Sequence, residues 1–230
     1  MYKYFLKRLF DILLSGLALI LLSPVFLVLA IIIKIKLGSP IVFTQYRLGK
    51  NKKVFKFYKF RSMLNKNDKD GNPLPDKDRM TKFGMALRAT SLDELPQLWN
   101  IFKGDMSFVG PRPRMIEECV FLDENQHERF KVRPGVTGWA QVNGRNNITF
   151  DKVVEFDKEY VRSKNTFWFD IKILFKTVVK VFKKEDVNKQ GTVSNEFYGD
   201  YLLRTQQISK STYDDGIARA KEIIKNKKFS

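Results

Sequence analysis

Thr90-Ser91-Leu92-Asp93-Glu94-Leu95-Pro96-Gln97-Leu98-Trp99-Asn100 sets two adjacent carboxylates beside the start of a helix. The first turn of a helix carries N–H groups without intrahelical partners and the positive end of the helix dipole. It therefore stabilises an ionised carboxylate and also suits a phosphate brought alongside. Two placements of the start are open. With Ser91 as N-cap, Ser91 and Glu94 form an S-x-x-E capping box in which both side chains only satisfy helix-end donors. That placement puts Pro96 inside the helix, where its missing N–H is needed. With Pro96 at the first helical position, which proline favours, Asp93 and Glu94 lie just before the helix. Either way the pair sits at the positive end, and it is the candidate reacting centre.

Toward the C-terminus, Gln97 to Phe102 continues a short helix that Gly104 can end, and Met106 to Val109 reads as a strand. Gly110-Pro111-Arg112-Pro113 follows. Prolines on both sides restrict the backbone around Arg112. This makes its guanidinium, whose fork matches phosphate oxygens, a candidate phosphate clamp; the plainer reading is a rigid turn with an exposed arginine. A second glycine and arginine cluster runs from Arg133-Pro134-Gly135-Val136-Thr137-Gly138 through Gln141 to Gly144-Arg145-Asn146. It has neither the P-loop spacing nor that of a dinucleotide fold, so no standard nucleotide cradle is present.

Toward the N-terminus, Ile41–Tyr46 and Val54–Phe60 are β-branched and aromatic runs separated by Gly49-Lys50-Asn51, a hairpin signature. Seven cations from Arg47 to Arg61 load it, suiting either single-stranded nucleic acid or membrane phosphates. Asn65 to Asp78 reads as a polar loop. Its Asp68-Lys69-Asp70-Gly71 is not a calcium loop, because lysines occupy the first and last ligand positions. Further out, Ile12 to Ile33 is a run of 22 residues without a charge, roughly 33 Å as a helix and long enough to cross a bilayer. Its apolar end runs straight into Lys34 with no cleavage site, so the segment is expected to be retained. Ser23-Pro24 interrupts it, and Lys3, Lys7, Arg8, Lys34 and Lys36 flank both ends. Because positive flanks favour the cytoplasmic side, a helix broken at Pro24 that enters and leaves by one face satisfies both ends. An ordinary kinked transmembrane helix is the alternative.

From Phe167 to Lys184, Phe167, Ile171, Leu174, Val178 and Phe182 share one side and Lys172, Lys176, Lys180 and Lys184 the other, with Trp168 near the start. This describes a helix lying in a membrane interface or, alternatively, a core-facing helix with solvated lysines. A final helix is expected from about Thr212 to Lys227. The whole chain of 230 residues carries a net charge of +17 and 43% hydrophobic residues, enough for a core and biased toward polyanionic partners. One cysteine, Cys119, excludes an internal disulfide framework. The single histidine, His127, has no neighbours at zinc-ligand spacing.

Together these stretches resemble the bacterial monotopic polyprenyl-phosphate phosphoglycosyltransferases, or sugar transferases. The residues that carry the likeness are Lys7-Arg8, Ser23-Pro24, Lys59-Phe60-Arg61-Ser62-Met63, Thr90 to Leu98, Gly104-Asp105-Met106-Ser107, Val109 to Pro113 and Arg133 to Gly138. The chain is similar in particular to short members using UDP-sugars, including the branch that handles diacetylbacillosamine. The likeness implies an α+β fold: a small, mostly helical catalytic domain with a β-hairpin over about 37–184, interfacial helices, and a re-entrant helix-break-helix anchor over 1–36. It sets 185–230 apart as a C-terminal extension, of which roughly the last thirty residues, after about Gly199, look additional to the short form. It also implies Asp93 as nucleophile, Glu94 as a second catalytic residue and ligand of Mg2+, and Lys59, Arg88, Arg112, Gln141 and Arg145 as substrate-binding residues. The implied partners are a UDP-sugar donor, a polyprenyl phosphate acceptor and membrane lipids, at the cytoplasmic face of a bacterial inner membrane. Nucleic acid is not among them, and the sequence leaves open whether the chain forms a homo-oligomer. The rival reading is a membrane-anchored binder whose basic hairpin engages nucleic acid or lipid; it is weakened by the Asp93-Glu94 pair, which repels phosphates unless a metal intervenes.

Overall fold

A computed structural model describes residues 2–72, 74–144, 148–164, 166–182 and 197–229. In chain order the helices and strands are α1 (Lys7–Leu21), α2 (Ser23–Leu37), β1 (Val42–Leu48), β2 (Val54–Phe60), α3 (Asp76–Arg79), α4 (Lys82–Ala89), α5 (Gln97–Lys103), β3 (Ser107–Val109), α6 (Ile116–Cys119), β4 (Gly135–Thr137), α7 (Trp139–Val142), α8 (Phe150–Arg162), α9 (Thr166–Phe182), α10 (Tyr198–Arg204) and α11 (Lys210–Asn226). The fold is α+β, with helices dominant and two two-stranded sheets, β1-β2 and β3-β4. Two compact units are present. One comprises Asp11–Gln45 and Lys56–Lys103 and is called here the carboxylate unit; the other, Met1–Phe10, Tyr46–Phe55 and Gly104–Ser230, is called the arginine unit.

Among the described residues no single helix is long and apolar enough to cross a membrane. Instead α1 and α2 meet at a 61° bend, with Pro24 in the first turn of α2, where a missing N–H costs least. Leu13, Leu14, Leu17, Ile20 and Leu21 of α1 and Leu27, Val28, Ile31 and Ile35 of α2 stand exposed, a larger apolar surface than water tolerates well. The other face of α2 is core: Leu29, Ile33 and Leu37 pack with Phe60 and Leu87. Arg61 ends the helix by donating to the carbonyls of Leu37 and Ser39, groups that a helix terminus otherwise leaves without partners. Helix α4 lies so close to Ser62 that a Cβ on Gly84 would meet the Ser62 carbonyl oxygen at 1.9 Å. Only glycine fits there.

The arginine unit has two cores. Leu48, Ile116, Cys119, Leu122 and Phe130 pack with Tyr198, Leu202, Ala220 and Ile223 of the C-terminal helices. Cys119 is fully buried, which pushes its thiol up to about 12. Val109, Trp139, Val142, Tyr160 and Ile173 form the second core around β3 and α9. Strands β3 and β4 are parallel, in register Ser107 with Gly135 and Val109 with Thr137. A Cβ on Gly135 would lie 2.1 Å from the Gly110 nitrogen, and one on Gly138 2.2 Å from the Gly110 oxygen. The glycines of the Arg133–Gly138 cluster therefore serve close backbone approach. At the N-terminal end of this unit, Lys7 Nζ donates to Asp170 at 2.5 Å and to the Tyr160 hydroxyl at 2.8 Å, while Tyr2 also donates to Asp170, at 2.8 Å.

Helix α9 does not bury the apolar side that its sequence aligned. Phe167, Ile171, Leu174 and Val178 are exposed, with Trp168 70% and Phe175 69% accessible, and the buried contact is made by Ile173 and Asp170 instead. The lysine stripe is not simply solvated: Lys172 and Lys176 lie 4.8 and 4.6 Å from the centre of the Trp139 ring. The side chain of Phe182 and the whole of Lys184 lie outside the described residues.

Candidate active site

The local backbone decides between the two placements of the helix start. Ser91 is left-handed (φ 56°) and its side chain makes no capping bond; Leu92–Glu94 form one 3-10 turn, and α5 begins only after Pro96. The capping-box reading of Ser91 and Glu94 does not hold. A left-handed serine is uncommon, and here it turns the carboxylate pair out of the helical register. What fixes α5 is Asn100, fully buried, whose amide replaces a strand partner for β2. It accepts from the Tyr58 N–H at 3.1 Å and donates to the Lys56 carbonyl at 2.7 Å. The strand so held carries Lys59, one residue beyond Tyr58.

Lys59 Nζ donates to Glu94 Oε1 at 2.9 Å and lies 3.4 Å from Asp93 Oδ2. Asp93 is only 4% exposed. Burial, chiefly, and the neighbouring Glu94 carboxylate push its pKa above the usual carboxylate value, while Lys59 and, more weakly, Arg88 pull it back. Arg88 is held beside this group by a 2.9 Å bond from its Nε to Ser62 Oγ. Lys59, Arg88, Asp93 and Glu94 thus come together within the carboxylate unit. Among the described residues no group of three or more His, Cys, Asp or Glu side chains could hold a metal by itself.

Arg112 and Gln141 belong to the arginine unit, and Arg145 lies outside the described residues. Gln141 Nε2 donates to the Val136 carbonyl at 2.7 Å, leaving Oε1 buried without a hydrogen-bond partner among the described residues. The half-buried Arg112 stands in a knot of charge that sequence reasoning missed. Its carbonyl accepts from Arg129 Nη2 at 2.7 Å. Arg129 in turn pairs with buried Asp157 at 2.9 Å, and Arg114 with Glu118 at 3.1 Å. Arg47 is depressed to about 10 by burial and by the charge of Arg112. Burial holds the Asp157 carboxyl above its ordinary range despite Arg129 and Arg114. Arg114 was within reach of the sequence, beside Pro113; Asp157 gave no signal, because an acidic residue in an amphipathic helix reads as solvated.

A family model described as bacterial sugar transferase matches residues 2–184, and the chain belongs to that family. Among its relatives, the uncharacterized sugar transferase EpsL of Bacillus subtilis is 44% identical over 191 residues, covering 83% of this chain and 94% of that protein. The UDP-glucose:undecaprenyl-phosphate glucose-1-phosphate transferase of Escherichia coli is 47% identical over 187 residues, covering 77% of this chain but 40% of its own length. The undecaprenyl-phosphate galactose phosphotransferase of Salmonella typhimurium is 40% identical over 198 residues, with 79% and 41% covered. The chain thus spans nearly all of the first relative and about two fifths of the other two.

Proposed function

We propose that the protein transfers a sugar 1-phosphate from a UDP-sugar to polyprenyl phosphate, releasing UMP, by way of a covalent phosphosugar-aspartyl intermediate. The observation that carries this reading is the buried Asp93 carboxylate, turned out of the helix and held beside Glu94 by Lys59. In the first displacement an Asp93 oxygen bonds to the sugar-bearing phosphorus, and the bond to the bridging oxygen breaks, so that UMP leaves with the electron pair. In the second, an oxygen of polyprenyl phosphate bonds to that phosphorus and the Asp93 carboxylate leaves. Polyprenyl-diphosphate-sugar is the product. The relative from Escherichia coli is named for transfer of glucose 1-phosphate between UDP-glucose and undecaprenyl phosphate, and that from Salmonella as an undecaprenyl-phosphate galactose phosphotransferase.

Two adjacent carboxylates form a hard-oxygen donor set that suits Mg2+, which is commonly held by one or two carboxylates together with substrate phosphates. Glu94 would be the protein ligand, and the ion's chemistry would be to neutralise diphosphate charge. Lys59 keeps the pair oriented and Asp93 ionised, and Arg88 adds positive charge beside it. Arg112 takes the role of phosphate clamp, and Gln141 Oε1 offers an acceptor to a donor group of the substrate. Arg145 is assigned to substrate binding by its place in the sequence.

Release of UMP from a panel of UDP-sugars, with and without undecaprenyl phosphate and Mg2+, tests the reading. Lipid-dependent release from at least one donor is the expected result; its absence across the panel from folded protein would refute the reaction class.

The anchor follows the same proposal. The 61° break between α1 and α2, the cationic flanks and the exposed apolar face of α9 support a re-entrant hairpin at the cytoplasmic face of a bacterial inner membrane, with α9 in the interface. Anchorage holds the carboxylates where a lipid phosphate can meet a soluble nucleotide sugar. Single cysteines at Lys3 and Lys36 are expected to react with an impermeant maleimide from the same side. Cys119, fully buried, adds no background. Labelling from opposite sides would establish a spanning helix instead.

A further inference from the structure

The C-terminal helices α10 and α11 lie beyond residue 184, where the family match ends, yet they are built into the arginine unit. Phe121 stacks on Tyr213 of α11 with ring centres 5.7 Å apart. A Cβ on Gly199 of α10 or Gly216 of α11 would lie 2.6 or 2.4 Å from the Phe121 ring, so both helices close tightly over it. Tyr198 stacks face to face on Phe150, with centres 3.6 Å apart and planes 13° from parallel. The Arg114 guanidinium lies 4.3 Å from the centre of the same Phe150 ring. Since Tyr198 occupies one face, Arg114 takes the other. Arg114 follows Pro113 directly, pairs with Glu118 of α6, and stands two residues from Arg112.

Several guanidinium groups gathered at one turn repel each other, and something must hold them. The carboxylates of Glu118 and Asp157 supply charge, and a ring sandwiched between tyrosine and guanidinium supplies direction, since a cation over an aromatic face is attracted by its quadrupole. We propose that the C-terminal helices act on substrate binding: Tyr198 is a positioning residue that works through Phe150 and Arg114 to hold the Pro111–Arg114 turn. This rests on the reading of Arg112 as a phosphate clamp.

The test compares Tyr198→Leu, which removes the flat ring, with Tyr198→Phe, which keeps it, in the full chain in detergent micelles. Hydrogen exchange of residues 112–119 reads the turn itself, and steady-state kinetics with the UDP-sugar donor read its consequence. The leucine variant is expected to lose protection in 112–119 and to raise KM for the donor on the order of tenfold, with kcat within about twofold. The phenylalanine variant should match the parent in both. Val161→Ala, a truncation elsewhere in the same unit, should lower the melting temperature without moving KM. Unchanged protection in the leucine variant, equal losses in Tyr198→Phe, or an equal rise of KM in Val161→Ala would each overturn the proposal. Lost protection with unchanged KM would overturn it too, provided Arg112→Ala does raise KM. If Arg112→Ala leaves KM unchanged, the clamp reading fails, and exchange alone decides whether Tyr198 holds the turn. Should Tyr198→Leu not fold, Phe150→Leu breaks the same stack and is read in the same way.

Discussion

Asp93→Asn is expected to reduce turnover by about 10³-fold or more and to abolish covalent labelling by a UDP-sugar radiolabelled in the sugar phosphate. The amide is nearly isosteric but cannot form the acyl phosphate. Membrane association and fold should be unaffected. Stability gives a second, independent reading. Burial raises the Asp93 pKa in the folded protein. A carboxyl with a raised folded pKa contributes stability that is present below its unfolded pKa and lost as pH rises through the folded one. At pH 7, above the ordinary carboxylate range, Asp93 therefore costs stability, and the melting temperature of the asparagine variant should equal or exceed that of the parent. Turnover within tenfold of the parent would refute Asp93 as nucleophile. Persistent labelling in an inactive variant would move the covalent attachment to another residue.

Lys59→Met should lower kcat/KM at pH 7 on the order of 100-fold and move the acid limb of the pH–rate profile upward. Two opposed effects set the sign. Burial and Glu94 push the Asp93 pKa up, and Lys59 pulls it down. Without the ammonium the upward effects act nearly alone, so a smaller fraction of Asp93 is ionised at neutral pH, and raising the pH should recover part of the activity. The stability deficit of the variant should likewise shrink as pH falls through the raised pKa, since protonation removes the buried charge that Lys59 had balanced. An acid limb that stays in place would show that Lys59 does not tune the nucleophile. A drop in kcat/KM with that limb unmoved would confine it to substrate contact.

What could be read directly from the chain was local. The hairpin strands, the short helix after Pro96, the break at Ser23-Pro24 and the carboxylate pair all depend on residues near each other in sequence, and they stand close to where they were expected. The helix start could not be settled locally. Ser91 and Glu94 satisfy a capping pattern, and it is Asn100, tied to Lys56 and Tyr58 of β2, that fixes α5 in place. The pairing of β3 with β4 joins segments some thirty residues apart, and neither strand exceeds three residues. Such short strands carry no period, and nothing in the sequence marked Gly135 and Gly138 as sites of close backbone packing against Gly110. Helix α10 was missed because Tyr198-Gly199 has low helical propensity; the need to place a glycine against Phe121 outweighs it. The pairing of Arg129 with Asp157 was invisible for the same reason: partners distant in sequence carry no mark that they will meet.

The two bonds from Arg61 to the end of α2 have a mechanical meaning. Helix α2 and the carboxylate turn are parts of one compact unit, and Arg61, two residues after Lys59, ties the end of that helix to β2, so under the proposed anchorage α2 would serve as a gauge rather than a tether. A helix advances about 1.5 Å per residue, and the number of residues between Pro24 and Leu37 therefore fixes how far the end of α2 held by Arg61 stands from the bend. Evolution can adjust that distance only by whole residues, each of which also turns the helix by about 100° and rotates Leu29, Ile33 and Leu37 off the core. Working depth and packing are written in the same few residues, and neither can drift without the other.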